Sequence, residues 1–200
     1  MIDNPGTMKS AGYPDIYFIV DSSGSMGWAP FEEQENYHIV CVGVYAILHF
    51  LRETGILEDV SFNIINFSDI TISSGWVDHF EMDKFKKILF HYQGGGTSLN
   101  KRVLEDTAKQ HLSKVKNYDS HFLMFLISDG YIANEDEVVK VIEQLLSKQN
   151  QVVYMSIGVG ETPFFKKLEK FGALGLVIKN TQKLDYLMPD ITKKQFESNF

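Results

Sequence analysis

The sequence predicts an α/β fold with a doubly wound, mostly parallel sheet and helices on both faces. Strand-like and helix-like segments alternate almost throughout the chain, which is the order expected of parallel strands joined by crossover helices. The segment Ile16–Val20 is continuously β-branched and aromatic rather than alternating, as in a strand covered on both faces. With 200 residues, of which 44% are hydrophobic and 22% charged, the chain can bury a core of its own.

The first part of the chain supplies three strands and one long helix. Residues 1–13 are rich in turn-forming residues and are expected to form an irregular leader. Only a few residues separate the second strand from the third, too few for a crossover helix, so these two strands should be antiparallel. The predicted elements are strand Ile16–Val20, helix Glu35–Thr54 ending at Gly55, strand Val60–Phe67 and strand Thr71–Ser74.

The rest of the chain continues the alternation without a linker or repeat, so one domain is expected over residues 14–200. Thr162 and Pro163 form an N-cap followed by proline at the first helical position. The last helix should place Leu184, Leu187 and Met188 in the core. The predicted elements are helices Glu81–Phe90 and Ser98–Ser113, strand His121–Ser128, helix Glu135–Lys148, strand Gln151–Val159, helix Pro163–Phe171, strand Leu174–Ile178 and helix Lys183–Phe196.

Oxygen-bearing side chains gather where ligands bind in such sheets, at the carboxyl ends of the strands. Asp21, Ser23 and Ser25 follow the first strand, Asp129 follows the strand ending in Ser128, and a triple-glycine turn precedes Thr97. Oxygen ligands without nitrogen or sulfur suit a hard divalent cation. Two carboxylates neutralise such an ion, and the small ligand set leaves a position for water or an outside acidic oxygen. The pattern therefore predicts a docking site.

Other interpretations of these residues are weaker. The segment from Asp21 to Ser25 could be a turn before a helix whose side chains satisfy backbone donors. The triple glycine could be a plain loop, and no Gly-Lys-Ser/Thr follows to make a P-loop. A Mg-dependent phosphohydrolase of the haloacid-dehalogenase type needs Asp-x-Asp, but Ser23 occupies the second position, so the general acid is absent. A phosphoacceptor receiver needs an acidic cluster and a late lysine that are not arranged here.

Asp-x-Ser-x-Ser after the first strand, the Gly-Gly-Thr turn and the later Ser-Asp-Gly together resemble the von Willebrand factor type A (VWA) domain family, over about Pro14 to Phe196. The resemblance implies a six-strand sheet with one antiparallel edge strand. It also implies a metal-ion-dependent adhesion site (MIDAS) that holds Mg²⁺ or Mn²⁺ and takes a partner carboxylate as the sixth ligand. On that pattern Ser23, Ser25 and Thr97 contact the ion directly, whereas Asp21 and Asp129 act through water.

The resemblance and the composition together indicate the class of partner. The expected function is a metal-dependent protein–protein interaction module that binds a Glu or Asp side chain, without enzymatic activity. The motif Asp-Ser-Ser-Gly-Ser-Met and the absence of a secretory signal resemble prokaryotic intracellular members of the family. Some of those members act beside AAA+ ATPases of the MoxR type or as the non-motor subunit of metal chelatases, and such an assembly is the alternative function.

The charge and the cysteine count exclude several other classes. With 19 basic and 26 acidic side chains, the formal net charge of −7 disfavours nucleic acid and anionic membranes as partners. A single cysteine, Cys41, cannot form an internal disulfide, and it favours a reducing, cytoplasmic location. Cys41 is expected to be a buried, inert side chain, and the six histidines show no ligand spacing.

One loop near the predicted metal motif carries residues that could contact a partner. Trp28 and Phe31 are either exposed apolar contacts or packing residues against the first helix. The acidic residues of this loop are either surface charge favoured by the helix dipole or an acidic lip that restricts the choice of partner. These acidic residues are Glu32, Glu33 and Glu35.

Overall fold

The structure is a computed structural model that describes residues 13–27, 36–114, 121–146, 150–179 and 183–197. Its strands form one six-stranded sheet in the order β3-β2-β1-β4-β5-β6. Every neighbouring pair is parallel except β2 and β3, which confirms the predicted fold class and the antiparallel edge strand. The strands are β1 (Asp15–Asp21), β2 (Phe62–Phe67), β3 (Thr71–Ser73), β4 (Phe122–Ser128), β5 (Gln151–Ile157) and β6 (Leu174–Ile178).

Helices cover both faces of the sheet. The described α-helices are α1 (Asn36–Glu53), α2 (Met82–Leu89), α3 (Lys101–Lys114), α4 (Glu135–Leu146), α5 (Pro163–Lys170) and α6 (Leu184–Glu197). The buried apolar side chains of α1, α2 and α6 share one core cluster, and those of α3, α4 and α5 share the other. The sheet therefore separates two cores, as in other doubly wound folds.

The central strand β1 explains why its sequence is apolar throughout. Successive side chains of a strand point to opposite faces. Ile16, Phe18 and Val20 enter the core with α1 and α6, whereas Tyr17 and Ile19 enter the core with α3 and α4. A strand with a core on each side has no solvated face, so alternation is lost.

Local hydrogen bonds move some element ends from their predicted positions. Helix α3 begins at Lys101 rather than Ser98, because the Ser98 N–H donates to the Ser68 carbonyl (2.9 Å) and the Asn100 N–H donates to the Thr71 hydroxyl (2.9 Å). Strand β5 ends at Ile157 because the next residue, Gly158, has a positive φ of 75°. The hydrogen bonds of Ser98 and Asn100 hold segment 98–100 against the turn between β2 and β3.

Several packing and capping expectations are confirmed. The Thr162 hydroxyl accepts a hydrogen bond from the Phe165 N–H (3.1 Å) at the start of α5. Cys41, Leu184 and Met188 are buried in the core, and Leu187 packs against it in part. Burial raises the pKa of the Cys41 thiol to about 12, which suits an inert thiol.

Some expectations concern residues that are not described. The predicted leader (residues 1–13) lies outside the described residues except for Tyr13, and residues 28–35 of the loop after the metal motif lie outside them entirely. That loop contains Trp28, Phe31 and the three glutamates. Among the helices in the described ranges, none combines the length and apolarity needed to cross a bilayer.

Candidate metal centre

The two aspartates of the predicted site lie at the carboxyl ends of neighbouring parallel strands. Strands β1 and β4 pair in register, with Val20 opposite Ile127, so Asp21 and Ser128 end the two strands at the same level. The Ser128 hydroxyl donates a 2.7 Å hydrogen bond to Asp21 Oδ2. Asp129, the next residue, is close enough for its charge to act on the Asp21 carboxylate. The two carboxylates therefore share one edge of the sheet.

Asp21 is fully buried, and its environment is costly for a negative charge. Burial raises the pKa of the Asp21 carboxyl to about 6, an effect opposed by hydrogen bonds from Ser128 and Ser23 and reinforced by the charge of Asp129. The Ser23 N–H donates to Asp21 Oδ1 (2.8 Å). In the part of the chain that the structure describes, no Lys, Arg or His side chain forms an ion pair with Asp21. A buried carboxylate of this kind is stabilised when a cation binds beside it.

The two serine hydroxyls after β1 have the spacing of neighbouring ligands on a small ion. Ser23 Oγ and Ser25 Oγ lie 3.1 Å apart, on a short 3₁₀ turn that begins at Gly24. Two adjacent oxygens at the 2.0–2.1 Å bond length of octahedral Mg²⁺ lie about 3 Å apart. The observed spacing is compatible with two ligands of one small ion, as well as with the hydrogen bond that the two hydroxyls form with each other.

The glycine turn brings Thr97 to the same place. The Gly24 N–H donates to the Gly95 carbonyl (2.8 Å), and the Gly94 N–H donates to the carbonyl of Ser22 (2.9 Å). On the other side, the Thr97 carbonyl accepts from the Ala133 N–H (2.8 Å), in the segment that follows Asp129. Thr97 therefore lies between the two aspartate loops, so all five predicted residues belong to one loop cluster.

The absence of side chains at Gly95 and Gly96 lets the Asp69 side chain of a neighbouring loop pack closely against this turn. A Cβ atom at Gly95 would lie 2.0 Å from Asp69 Oδ2, and one at Gly96 would lie 2.7 Å from Asp69 Oδ1. Asp69 Oδ1 accepts from the Gly96 N–H (2.8 Å), while the Ser68 hydroxyl accepts from the Gly95 N–H and donates to the Gly96 carbonyl (both 2.9 Å). Ser68 and Asp69 thus position the backbone that carries Thr97.

The sequence analysis missed a buried amide, Asn66, that joins the same loops. Asn66 Oδ1 accepts from the Ser22 hydroxyl and from Gln93 Nε2 (2.8 Å). Its Nδ2 lies within hydrogen-bond distance of the Tyr37 hydroxyl (2.7 Å) and of the carbonyls of Ile88 (3.0 Å) and His91 (2.6 Å). Strand β2 carries two buried asparagines, Asn63 and Asn66, among apolar residues, and a buried amide is a signal of such a role, but its partners cannot be found from sequence.

The donor set fits a hard divalent cation. Within the described residues no three or more His, Cys, Asp or Glu side chains are placed so that they could hold a metal ion together. The five candidates instead offer two carboxylates and three hydroxyls. Among the described residues no hydrogen bond or ion pair engages the Asp129 carboxylate or the Thr97 hydroxyl. Carboxylate and hydroxyl oxygens of this kind, beside a buried carboxylate, are the chemistry expected of a site for a hard divalent cation.

The fold and this loop cluster define an α/β domain with an oxygen-rich ligand site at the carboxyl edge of its sheet. The family model of the von Willebrand factor type A domain matches residues 15–182. The chain therefore belongs to the VWA family. A comparison with curated protein sequences finds no match.

Solved structures of related folds are similar over most of this chain. The pilus adhesin SpaC from Lactobacillus rhamnosus GG has a TM-score of 0.77 and 13% identity, over 94% of this chain and 31% of its own. A von Willebrand factor type A protein from Catenulispora acidiphila has a TM-score of 0.69 and 16% identity, over 92% of this chain and 43% of its own.

A third similar structure has metal in its site. Proximal thread matrix protein 1 from the mussel byssus, with a zinc-occupied MIDAS motif, has a TM-score of 0.69 and 18% identity, over 90% of this chain and 47% of its own. The chain thus spans between about a third and a half of the length of the proteins that it resembles. At these identities the likeness establishes the fold.

Proposed function

We propose that this domain binds a partner protein through one divalent metal ion, Mg²⁺ or Mn²⁺, at the loop cluster formed by Asp21, Ser23, Ser25, Thr97 and Asp129. The observation that carries the proposal is the Asp21 carboxylate, which is fully buried beside a second aspartate and has no cationic partner in the described ranges. A bound divalent ion would offset the charge of both carboxylates and offer a positively polarised coordination position to a ligand.

The five residues have different parts in the proposed site. The hydroxyls of Ser23, Ser25 and Thr97 would bind the ion directly, and the Ser23–Ser25 spacing of 3.1 Å supports this for two of them. Asp21 already accepts hydrogen bonds at both oxygens, from the Ser23 N–H and the Ser128 hydroxyl. Such a carboxylate would act on the ion through water, and the same role is proposed for Asp129.

An acidic side chain is the partner group that best fits this site. Three hydroxyls and two water-mediated carboxylates leave a coordination position that these residues do not fill. The hydroxyls are neutral, and a carboxylate from outside binds strongly to a divalent ion that has only neutral direct ligands. The proposed activity is therefore reversible binding of a Glu or Asp residue of another protein, in which no covalent bond changes.

Binding of defined peptides tests this function. Fluorescein-labelled pools of 12-residue peptides with one fixed central glutamate are titrated with the domain in Mg²⁺ and in EDTA, with a glutamine pool as the matched control. We expect the glutamate pool to bind in Mg²⁺ but not in EDTA, and the glutamine pool not to bind in either. Thr97→Ala should abolish the binding of the glutamate pool. Equal binding of the two pools, or equal binding in EDTA, would show that the site does not work in this way.

We further propose a particular class of partner, an AAA+ ATPase, and a cytoplasmic location for the protein. The resemblance to prokaryotic intracellular VWA proteins suggests an AAA+ ATPase of the MoxR or metal chelatase type as the partner. The buried lone thiol of Cys41 is compatible with the reducing cytoplasm. Copurification of an AAA+ ATPase with the wild-type chain, lost in Ser23→Ala and in Thr97→Ala, is the expected result. An ATPase that copurifies equally with both variants would contradict the proposed role of the metal.

A further inference from the structure

A cavity of about 660 Å³ opens beside the proposed metal centre. It lies between the turn that joins β2 to β3 and the first turns of α3 and α4, and its lining includes Asp69, Ser98 and Arg102. Ser98 follows the proposed ligand Thr97 directly, and the Asp69 carboxylate holds the Gly96 N–H of the same loop (2.8 Å). The cavity and the metal centre therefore share one wall.

The charges of this cavity leave one cation without a partner. Lys101 pairs with Glu137 across the cavity (3.8 Å), and Asp69 Oδ1 is engaged by the glycine turn. The side-chain amide of Asn134 is engaged at both ends by the backbone of Leu99 (2.7 and 3.2 Å). Arg102, which is exposed, forms no ion pair with any described residue. Its guanidinium group offers planar, two-pronged donors suited to a carboxylate.

We infer that this cavity is a second subsite for the same partner and that it takes a second acidic side chain, paired with Arg102. The inference rests on the proposed function, in which the first acidic residue binds the metal. The chain as a whole has a net charge of −7, which repels an acidic partner. A partner with two acidic residues therefore needs cationic groups close to both of them. Lys101 also lines the cavity but is paired with Glu137, so the metal and Arg102 are the positive groups of this lining that an acidic segment could meet without displacing an ion pair of the described residues.

The chain itself limits the spacing of the two acidic residues. Five residues separate Thr97 from Arg102 along the sequence, so their Cα atoms lie at most about 18 Å apart. An extended peptide rises about 3.3 Å per residue. Five residues of extended peptide therefore span the largest possible separation of these two Cα atoms, and the second acidic residue should lie within this spacing when the arginine side chain reaches toward the metal.

Peptides with one or two acidic residues test this subsite. The single-glutamate pool is compared in Mg²⁺ with pools that carry a second glutamate two, three, four or five residues away on either side. We expect at least one spacing to bind the wild-type domain fivefold or more tightly than the single-glutamate pool. Arg102→Glu should remove that gain and leave the affinity for Mn²⁺, measured by calorimetry, within about twofold.

A charge exchange and a matched control make the test specific. Arg102→Glu should prefer a pool with lysine at the second position, because the ion pair is restored with its charges reversed. Arg52→Glu makes the same charge change in the last turn of α1, where Arg52 is exposed. Helix α1 begins near the carboxyl edge of the sheet and ends at the opposite edge, so this variant should bind like the wild type.

The outcomes separate the two proposals. If no glutamate pool binds wild type in Mg²⁺, the proposed function fails, and the subsite fails with it. If the single-glutamate pool binds but no second glutamate adds affinity, only the subsite is overturned. It is also overturned if Arg52→Glu reduces binding of the two-acid pools as much as Arg102→Glu does, because the effect is then one of net charge.

Discussion

The two ends of strand β1 each carry a buried aspartate, yet the surroundings of the two carboxylates are opposite. Asp15, at the first residue of the strand, lies 2.7 Å from His111 Nε2 and accepts a 2.7 Å hydrogen bond from the Ser61 N–H. His111 is itself buried and packs on Trp76, with ring centroids 4.4 Å apart. Asp21, at the last residue, has hydroxyl and amide donors but no basic partner in the described ranges.

This contrast separates a carboxylate that is paired within the fold from one that we propose acts on a bound ion. Asp15 has its partner within the fold, since His111 of α3 is held against β1 by the contact between them. At Asp21 the fold instead supplies a second aspartate and neutral hydroxyl groups, and burial raises the pKa of the Asp21 carboxyl to about 6. A buried carboxylate that lacks its own cation, at the edge of a sheet where ligands bind, indicates a cation from outside.

The largest expected loss of stability is at Asp15, the aspartate of β1 that already has a basic partner, His111. Asp15→Asn removes one partner of a buried pair, and we expect the free energy of unfolding to fall by about 3 kcal/mol. Urea denaturation at pH 7 measures this change. Asp136→Asn is the control, because Asp136 also pairs with a basic residue, Lys167 (2.7 Å), but is exposed. A matching loss in the two variants would mean that burial does not distinguish Asp15.

The matched substitution at the other end of β1, Asp21→Asn, should change the free energy of unfolding in the opposite direction. Asp21→Asn removes a charge that burial disfavours, so the metal-free protein should become more stable at pH 7. A pKa raised from 3.8 to about 6 corresponds to at most about 3 kcal/mol, reduced by any weakening of the hydrogen bonds with Ser23 and Ser128. Urea denaturation in EDTA checks the sign. A loss of stability equal to that of Asp15→Asn would make Asp21 a structural residue too.

The pH dependence of stability should separate Asp21 from all other titrating groups. Because its folded pKa lies above its unfolded pKa, Asp21 contributes stability that is complete below about pH 3.8 and is lost as the pH rises through about 6. In EDTA, the difference in unfolding free energy between wild type and Asp21→Asn should shift by about 1.3 kcal/mol in favour of wild type from pH 7 to pH 5. A pH-independent difference would contradict the raised pKa.

The smallest effect on stability is expected when a proposed direct metal ligand, Ser25, is replaced. Ser25 is exposed, and its hydroxyl contacts only that of Ser23 among the described residues, so Ser25→Ala should leave the metal-free stability unchanged. Its affinity for Mn²⁺, measured by calorimetry, should fall about tenfold, equivalent to about 1.4 kcal/mol. Unchanged Mn²⁺ affinity would remove Ser25 from the proposed ligand set.

The fold and the loop cluster were predictable because their signals are local or follow from strand order. The apolar run in β1, the short connection before Thr71 and the polar residues at strand ends were sufficient. The links between loops were not predictable: Asn66 meets residues 22 and 88–93, and His111 meets Asp15 at a separation of 96 residues. His111 has no ligand spacing, and Asn66 is one of two asparagines in its strand, so only the folded arrangement shows their partners.

Thermal unfolding with and without metal tests the central claim, that the carboxylate at the end of β1 is stabilised by an outside divalent ion. At about 100 times its dissociation constant, Mg²⁺ should stabilise the wild-type domain by about 2.7 kcal/mol, which raises Tm by roughly 5–10 °C and is reversed by EDTA. Asp15→Asn should have a lower Tm than wild type without metal but show the same rise in Mg²⁺. Asp21→Asn should show no rise in Mg²⁺. No rise in wild type, or an equal rise in Asp21→Asn, would contradict the claim.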